Sequence, residues 1–151
     1  EVAEQVESRL VGLADWITPN LWELGFLADQ KIETVAEARR AARALGRPAL
    51  VTSVPAGDDE IGLLLVDGED AVLFAHRREA SAPSGTGDLV TASFGAGLIE
   101  GLEPVRAAER AARAAAEAVA AAKAWRASEL PIVALADRIV KPTAEVRIER
   151  L

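Results

Sequence analysis

Between Glu79 and Glu100 the chain carries a single ionisable side chain, Asp88, directly after the turn Gly85-Thr86-Gly87. The residues that follow, Leu89 to Ile99, hold no charge. A surface helix separates a polar from an apolar face, so this run predicts a buried helix. Gly85 and Gly87 lack a Cβ, which lets the backbone take positive φ and approach a ligand closely. A glycine turn that opens a helix aims unpaired N–H groups at one point, a geometry suited to an anion. Asp88 in the first turn is favoured by the helix dipole. It is also placed to take a proton from whatever the anion reacts with. The same pattern serves plain capping in many helices that bind nothing, so the loop alone leaves both readings open.

The rest of the chain bounds the choice. Its 151 residues make one domain's worth of chain. Half of them are hydrophobic, enough to bury a core, and the net charge of −7 argues against a nucleic-acid surface. No run reaches the length of a membrane span, and no charged-then-apolar leader marks secretion. Cysteine is absent, which excludes a disulfide framework or a thiolate metal site and fits a cytoplasmic enzyme. Methionine is absent too, even at position 1, and the expectation is that sequence has been removed upstream.

Taken in order, Glu1–Leu13 predicts a helix, with Val2, Val6 and Leu10 repeating every four residues. Ala14–Thr18 is a short strand stopped by Pro19, and Asn20 caps a helix over Leu21–Leu27. Thr34 and Glu37 form a capping box for a helix that ends at Gly46. A strand follows from Pro48 to Val54, and Pro55–Glu60 is a turn. Ile61–Val66 and Ala71–His76 form a hairpin around Asp67-Gly68. Pro104 opens a long Ala-rich helix to about Arg126. Its narrow stripe is Val105, Ala108, Ala112, Ala115 and Val119, with Arg106, Arg110 and Arg113 facing solvent. Leu130–Ala134 reads as extended, Leu135–Val140 as a helical turn, and Glu145–Leu151 as a last strand. Helices alternating with strands predict an α/β fold with a mostly parallel sheet plus a hairpin.

Four segments occur in a telling order: ITPNLWE (Ile17–Glu23), LVTSV (Leu50–Val54), GTGD (Gly85–Asp88) and ELPIVALADRIVKP (Glu129–Pro142). Together they resemble pyridoxal kinases of the ribokinase-like vitamin kinase family. GTGD is shared by many sugar and vitamin kinases. ITPN narrows the resemblance to vitamin kinases, including hydroxymethylpyrimidine kinases, and the tail is most similar to pyridoxal kinase. The resemblance covers almost the whole chain from Asp15 on, but only the C-terminal half of the family's length. It implies a ribokinase-like three-layer αβα fold, with residues 1–151 as the nucleotide-binding half of a single kinase domain whose upstream half is absent.

The resemblance also implies roles. Asp88 matches the general base that takes the proton of the vitamin's 5′-hydroxyl. Gly85, Thr86 and Gly87 match the anion hole, and Thr52 and Ser53 match hydroxyls that contact ATP phosphates. Asn20 and Glu23 match an Asn-x-x-Glu pair that organises Mg²⁺, mostly through water. Thr18 matches a position near phosphate or a monovalent cation such as K⁺. The implied substrates are ATP with pyridoxal and related B6 vitamers, the implied product pyridoxal 5′-phosphate, and the implied assembly a homodimer of the full-length protein in the cytoplasm. No nucleic-acid or membrane partner is expected. A base, donors and a metal site are complete in kind for phosphoryl transfer. Hydroxymethylpyrimidine kinases often carry Cys where this chain has Asp88. A non-catalytic nucleotide-binding or interaction module is the alternative from another class.

Other residues have plainer readings. His76, the only histidine, is expected as a strand residue near the surface. Trp16, Trp22 and Trp125 are expected as packing anchors, and Arg77-Arg78 as solvated charges, with an approach to ATP phosphates from the loop as the other reading. The strands at Ile17 and Leu50 are expected to present an unpaired edge and an apolar patch, and so to promote self-association.

Overall fold

The computed structural model describes residue 5, residues 9–79 and residues 82–151. Most of the helix expected at Glu1–Leu13 lies outside these residues; its end, Val11–Leu13, is a single 3₁₀ turn. Helix α1 (Leu21–Leu27) starts at Asn20 and α2 (Val35–Ala44) at Thr34, each with both bonds of a capping box. Three strands follow: β1 (Ala49–Gly57), β2 (Glu60–Asp67) and β3 (Asp70–Arg77). Then come α3 (Thr86–Ile99), α4 (Pro104–Trp125), α5 (Ala136–Val140) and β4 (Arg147–Arg150).

The sheet runs β1-β2-β3-β4, and every ladder in it is antiparallel. The expected mostly parallel sheet is therefore corrected. The reason lies in the connections. β1, β2 and β3 are joined by two-residue turns, and a turn that short can only reverse the strand; a parallel pair needs a crossover. The one crossover among the described residues runs through α1 and α2. It lays Ile17–Asn20 parallel to β1, as single bridges Ile17↔Ala49 and Asn20↔Thr52. The expected strand over Ala14–Thr18 is reduced to that contact. β1 also runs on to Gly57, into the segment expected as a turn.

Both sheet faces are covered, giving three layers. On one face α1 and α2 bring Leu24, Ala38, Ala41 and Ala42 against Val51, Leu64 and Leu73. On the other, α3 and α4 bring Val90, Phe94, Ala108 and Ala112 against Leu50, Leu65 and Phe74. Trp16 packs edge-on to Phe94 with ring centroids 5.1 Å apart, as an anchor should. Trp22 and Trp125 do not: they are 74% and 53% exposed.

Helices α3 and α4 nearly touch. A Cβ on Gly97 would lie 2.8 Å from that of Ala107, so only glycine permits the crossing. The expected fully buried α3 is corrected to half-buried. Leu89, Val90, Ser93, Phe94 and Gly97 are covered, while Thr91, Ala92 and Ala96 are open and Ile99 is 90% exposed. The buried surface of α4 is wider than the narrow stripe expected, because the C-terminal tail crosses its back and covers Ala118 and Ala121 with Leu135. Arg110 and Arg113 are correspondingly not simply solvated. Arg110 pairs with Glu100 and Arg113 with Glu109, and Arg113 donates to the Ala144 carbonyl at 2.7 Å. Ile132–Leu135 forms turns rather than the expected extended piece.

Glu117, which the sequence pattern did not mark, is the buried acid of α4. Its carboxylate receives Arg138 Nε at 2.7 Å and the Thr143 N–H at 2.9 Å. Burial opposes its charge, but the Thr143 N–H and Arg138 outweigh that and hold it below the ordinary glutamate range.

Candidate functional site

The site is built at the end of β1. Val51 pairs with Leu64 and Val54 with Gly62, so β1 holds one residue more than its partner there. Val51 and Val54 both face the α1–α2 layer although three residues apart, which shows that this bulge resets the alternation. Ser53 is the residue left over. Its φ is +62°, a left-handed conformation costing a non-glycine residue roughly 1 kcal/mol. The bulge turns Ser53 out of both faces while Thr52 stays buried. The Thr52 N–H donates to the Pro19 carbonyl at 2.9 Å, which fixes the Thr18–Asn20 segment beside it.

Asn20 and Glu23 hold each other. The Glu23 N–H donates to Asn20 Oδ1 at 2.9 Å and the Asn20 N–H to Glu23 Oε2 at 2.8 Å, leaving Glu23 Oε1 outside the capping pair. Thr18 receives a hydrogen bond from Thr91 Oγ1 at 3.0 Å.

Helix α3 supplies the opposite wall. Gly85 is its N-cap at φ +91°, and no side chain caps the helix, so its first N–H groups remain for an incoming acceptor. Thr86 Oγ1 donates to the Pro83 carbonyl at 3.1 Å. The approach to the turn is pinned twice: the Arg78 N–H donates to the Asp59 carbonyl at 2.7 Å, and Glu79 pairs with Lys123 of α4. The hydrogen bond from Lys123 holds the Glu79 carboxyl below its ordinary range.

These parts meet in three neighbouring clefts. One of about 300 Å³ lies between the β2–β3 hairpin and α3–α4, and brings together Thr52, Ser53, Gly85, Thr86, Gly87 and His76. A groove of about 610 Å³ holds Asp88 beside Ser84, Leu130 and Ile132, and Gly85 borders both. A third, of about 680 Å³, is lined by Asn20, Trp22 and Phe26, and Ser53 borders it and the first. Asp88 is exposed, and among the described residues no hydrogen bond engages its carboxylate. Glu23 and Thr18 line none of the three clefts. His76, expected as a strand residue near the surface, and Arg78, expected as a solvated charge or a neighbour of phosphate, both border the first. The signal for His76 was its register: it follows Phe74 by two residues on β3 and so shares the face that α3 and α4 cover.

Among the described residues no group of three or more His, Asp or Glu side chains could hold a metal ion by themselves. No helix among them is long and apolar enough to cross a membrane.

Comparison with known proteins gives consistent relationships. The phosphomethylpyrimidine kinase family matches residues 1–132. Pyridoxal kinase PdxY of Vibrio campbellii is 34% identical over 160 residues, covering 99% of this chain and 54% of that protein. A pyridoxine/pyridoxal/pyridoxamine kinase of Bordetella avium is 36% identical, covering 85% of this chain and 46% of that protein. The chain thus spans about half the length of the curated relatives it matches. Among solved structures, pyridoxal kinase from Entamoeba histolytica aligns with a TM-score of 0.85 at 24% identity, over 100% of this chain and 56% of that one. Pyridoxal kinase from Staphylococcus aureus in complex with AMP-PCP and pyridoxal aligns with a TM-score of 0.79 at 20% identity, over 99% of this chain and 58% of that one.

Proposed function

The chain belongs to the phosphomethylpyrimidine kinase family, and on that premise we propose that it is the nucleotide-binding half of an ATP-dependent pyridoxal kinase. The reaction moves the terminal phosphoryl group of ATP to the 5′-hydroxyl of pyridoxal, giving pyridoxal 5′-phosphate. One observation carries this reading: Thr52, Ser53 and Gly85–Gly87 border a single cleft, with Asp88 in the groove that shares Gly85. The hydroxyls and the uncapped N–H groups bind the phosphates from two sides. Asp88 takes the proton of the attacking hydroxyl, and its exposed carboxylate is open to that hydroxyl. The glycine cradle fits such a ligand, because the space where a Cβ of Gly87 would stand is empty.

Mg²⁺, where bound, offsets phosphate charge. The donor set fits a cation held mostly through water and phosphate oxygens rather than by a protein cage. Asn20 and Glu23 would orient that water shell, with Glu23 Oε1 the oxygen available for it. Thr18 would sit near phosphate or a monovalent cation such as K⁺. We assign residues 1–151 to one kinase domain, and the full-length protein to a cytoplasmic homodimer acting on B6 vitamers.

The family's own description favours a second reading, a hydroxymethylpyrimidine kinase of the same fold. The relatives named as pyridoxal kinases favour the first. The test is ATP consumption by the full-length protein with pyridoxal, hydroxymethylpyrimidine and ribose in parallel. Turnover with pyridoxal well above the other two is expected; turnover only with hydroxymethylpyrimidine would select the second reading, and none with any would leave a non-catalytic module.

A further inference from the structure

The cleft of about 300 Å³ is lined by two unlike sets of residues. One is the hydroxyls of Thr52 and Ser53 with the glycine turn. The other is apolar: Ile61, Leu63, Val90, Ala115 and Val119. On the ATP reading, on which this inference rests, the first set takes the phosphates and the apolar set the nucleobase, since a flat apolar ring suits apolar walls.

Of the other polar side chains that line the cleft, Glu79 is paired with Lys123 and Arg78 only donates; His76 is the third. Its Nδ1 lies 2.9 Å from the Arg77 carbonyl. A carbonyl oxygen only accepts, so Nδ1 must carry the ring hydrogen. In the neutral imidazole the other nitrogen, Nε2, is then an acceptor. Nε2 stands at the tip of the ring, and among the described residues no protein donor meets it.

We propose that His76 is a specificity-determining residue that reads the six-position of the purine and selects adenine. An acceptor pairs with the exocyclic amine of adenine. It opposes the six-position oxygen of guanine or hypoxanthine, because two acceptors facing each other leave both unpaired. Arg78 borders the same cleft and donates only. If Arg78 instead read the base, the preference would be for the oxygen.

The experiment is titration of the full-length protein, in Mg²⁺, with ADP, IDP and purine riboside diphosphate, which bear an amine, an oxygen and a hydrogen at the six-position. The wild type should bind ADP about tenfold more tightly than IDP, with the six-hydrogen nucleotide between them. His76→Phe keeps a ring but removes the acceptor, and should bring the three affinities within about twofold of one another. Equal wild-type affinities, or a preference for IDP, would overturn the proposal without recourse to a variant. An ADP preference that persists in His76→Phe, while Gly87→Val abolishes ADP binding, would overturn the role of His76 and leave the nucleotide site standing. No binding of any of the three would remove both.

Discussion

Thr91 Oγ1 donates to Thr18 Oγ1 across 3.0 Å, although the residues are 73 positions apart. Thr91 lies one turn after Asp88 on α3, so this bond ties the helix of the proposed base to the segment that runs beside Thr52. Thr91→Val keeps the shape and removes the donor. The expected loss of stability is small, about 0.5–1 kcal/mol, because both hydroxyls can reach water. The expected kinetic effect is a rise in KM for ATP of roughly three- to tenfold with kcat less affected. Thr91→Ser should restore wild-type values. Steady-state kinetics of the three proteins checks it.

Gly87 offers a cleaner probe of the proposed phosphate cradle than Gly85. A Cβ at Gly87 meets nothing within 4 Å, whereas Gly85 sits at φ +91°, where any L-residue is strained. Gly87→Ala and Gly87→Val should therefore fold, with a melting temperature equal to or above that of the parent. Nucleotide affinity should fall about tenfold or more, since charge-assisted bonds to phosphate are displaced. Calorimetric titration with an ATP analogue and Mg²⁺, alongside thermal melts, separates the two effects.

Asp88→Asn retains size but cannot accept a proton. Turnover should fall by about 10² or more, with nucleotide affinity little changed. A single-turnover assay of the full-length variant, combined with a binding titration, is the measurement. Near-parental turnover would remove Asp88 from the proposed chemistry.

Glu117 predicts a pH dependence of stability. Its carboxyl is held below the ordinary range in the folded chain, so the unfolded chain binds the proton more readily. The stabilisation is complete above the unfolded value, about 4.3, and is lost as pH falls through the lower folded value. Glu117→Gln should cost about 2 kcal/mol at neutral pH, because Arg138 and the Thr143 N–H lose a charged partner. That gap should narrow at pH 3. Urea unfolding of both proteins at the two pH values checks the sign as well as the size.

Local chemistry was legible in the sequence. Asn20 with Glu23, Thr34 with Glu37, Pro104, and the glycine turn before Asp88 each set a helix start through bonds within a few residues, and each stands where the sequence puts it. The hairpin around Asp67-Gly68 is local in the same sense. The directions of β1 and β4 against their neighbours were not legible, because direction depends on whether a strand's neighbour arrives by a tight turn or by a longer connection. The exposed face of α3 escaped for a related reason: composition reports how apolar a helix is, but not what lies against each side.

The bulge at Ser53 and the ion pair of Glu117 with Arg138 belong to tertiary structure alone. Each depends on residues distant in sequence, and no period in the chain encodes their meeting. The helix starts, the hairpin and the glycine turn could be read from the chain alone, because their hydrogen bonds close within one turn of chain. That Thr52 and Ser53 line one cleft with that turn follows instead from the packing of α3 and α4 on a sheet whose register is set by β2.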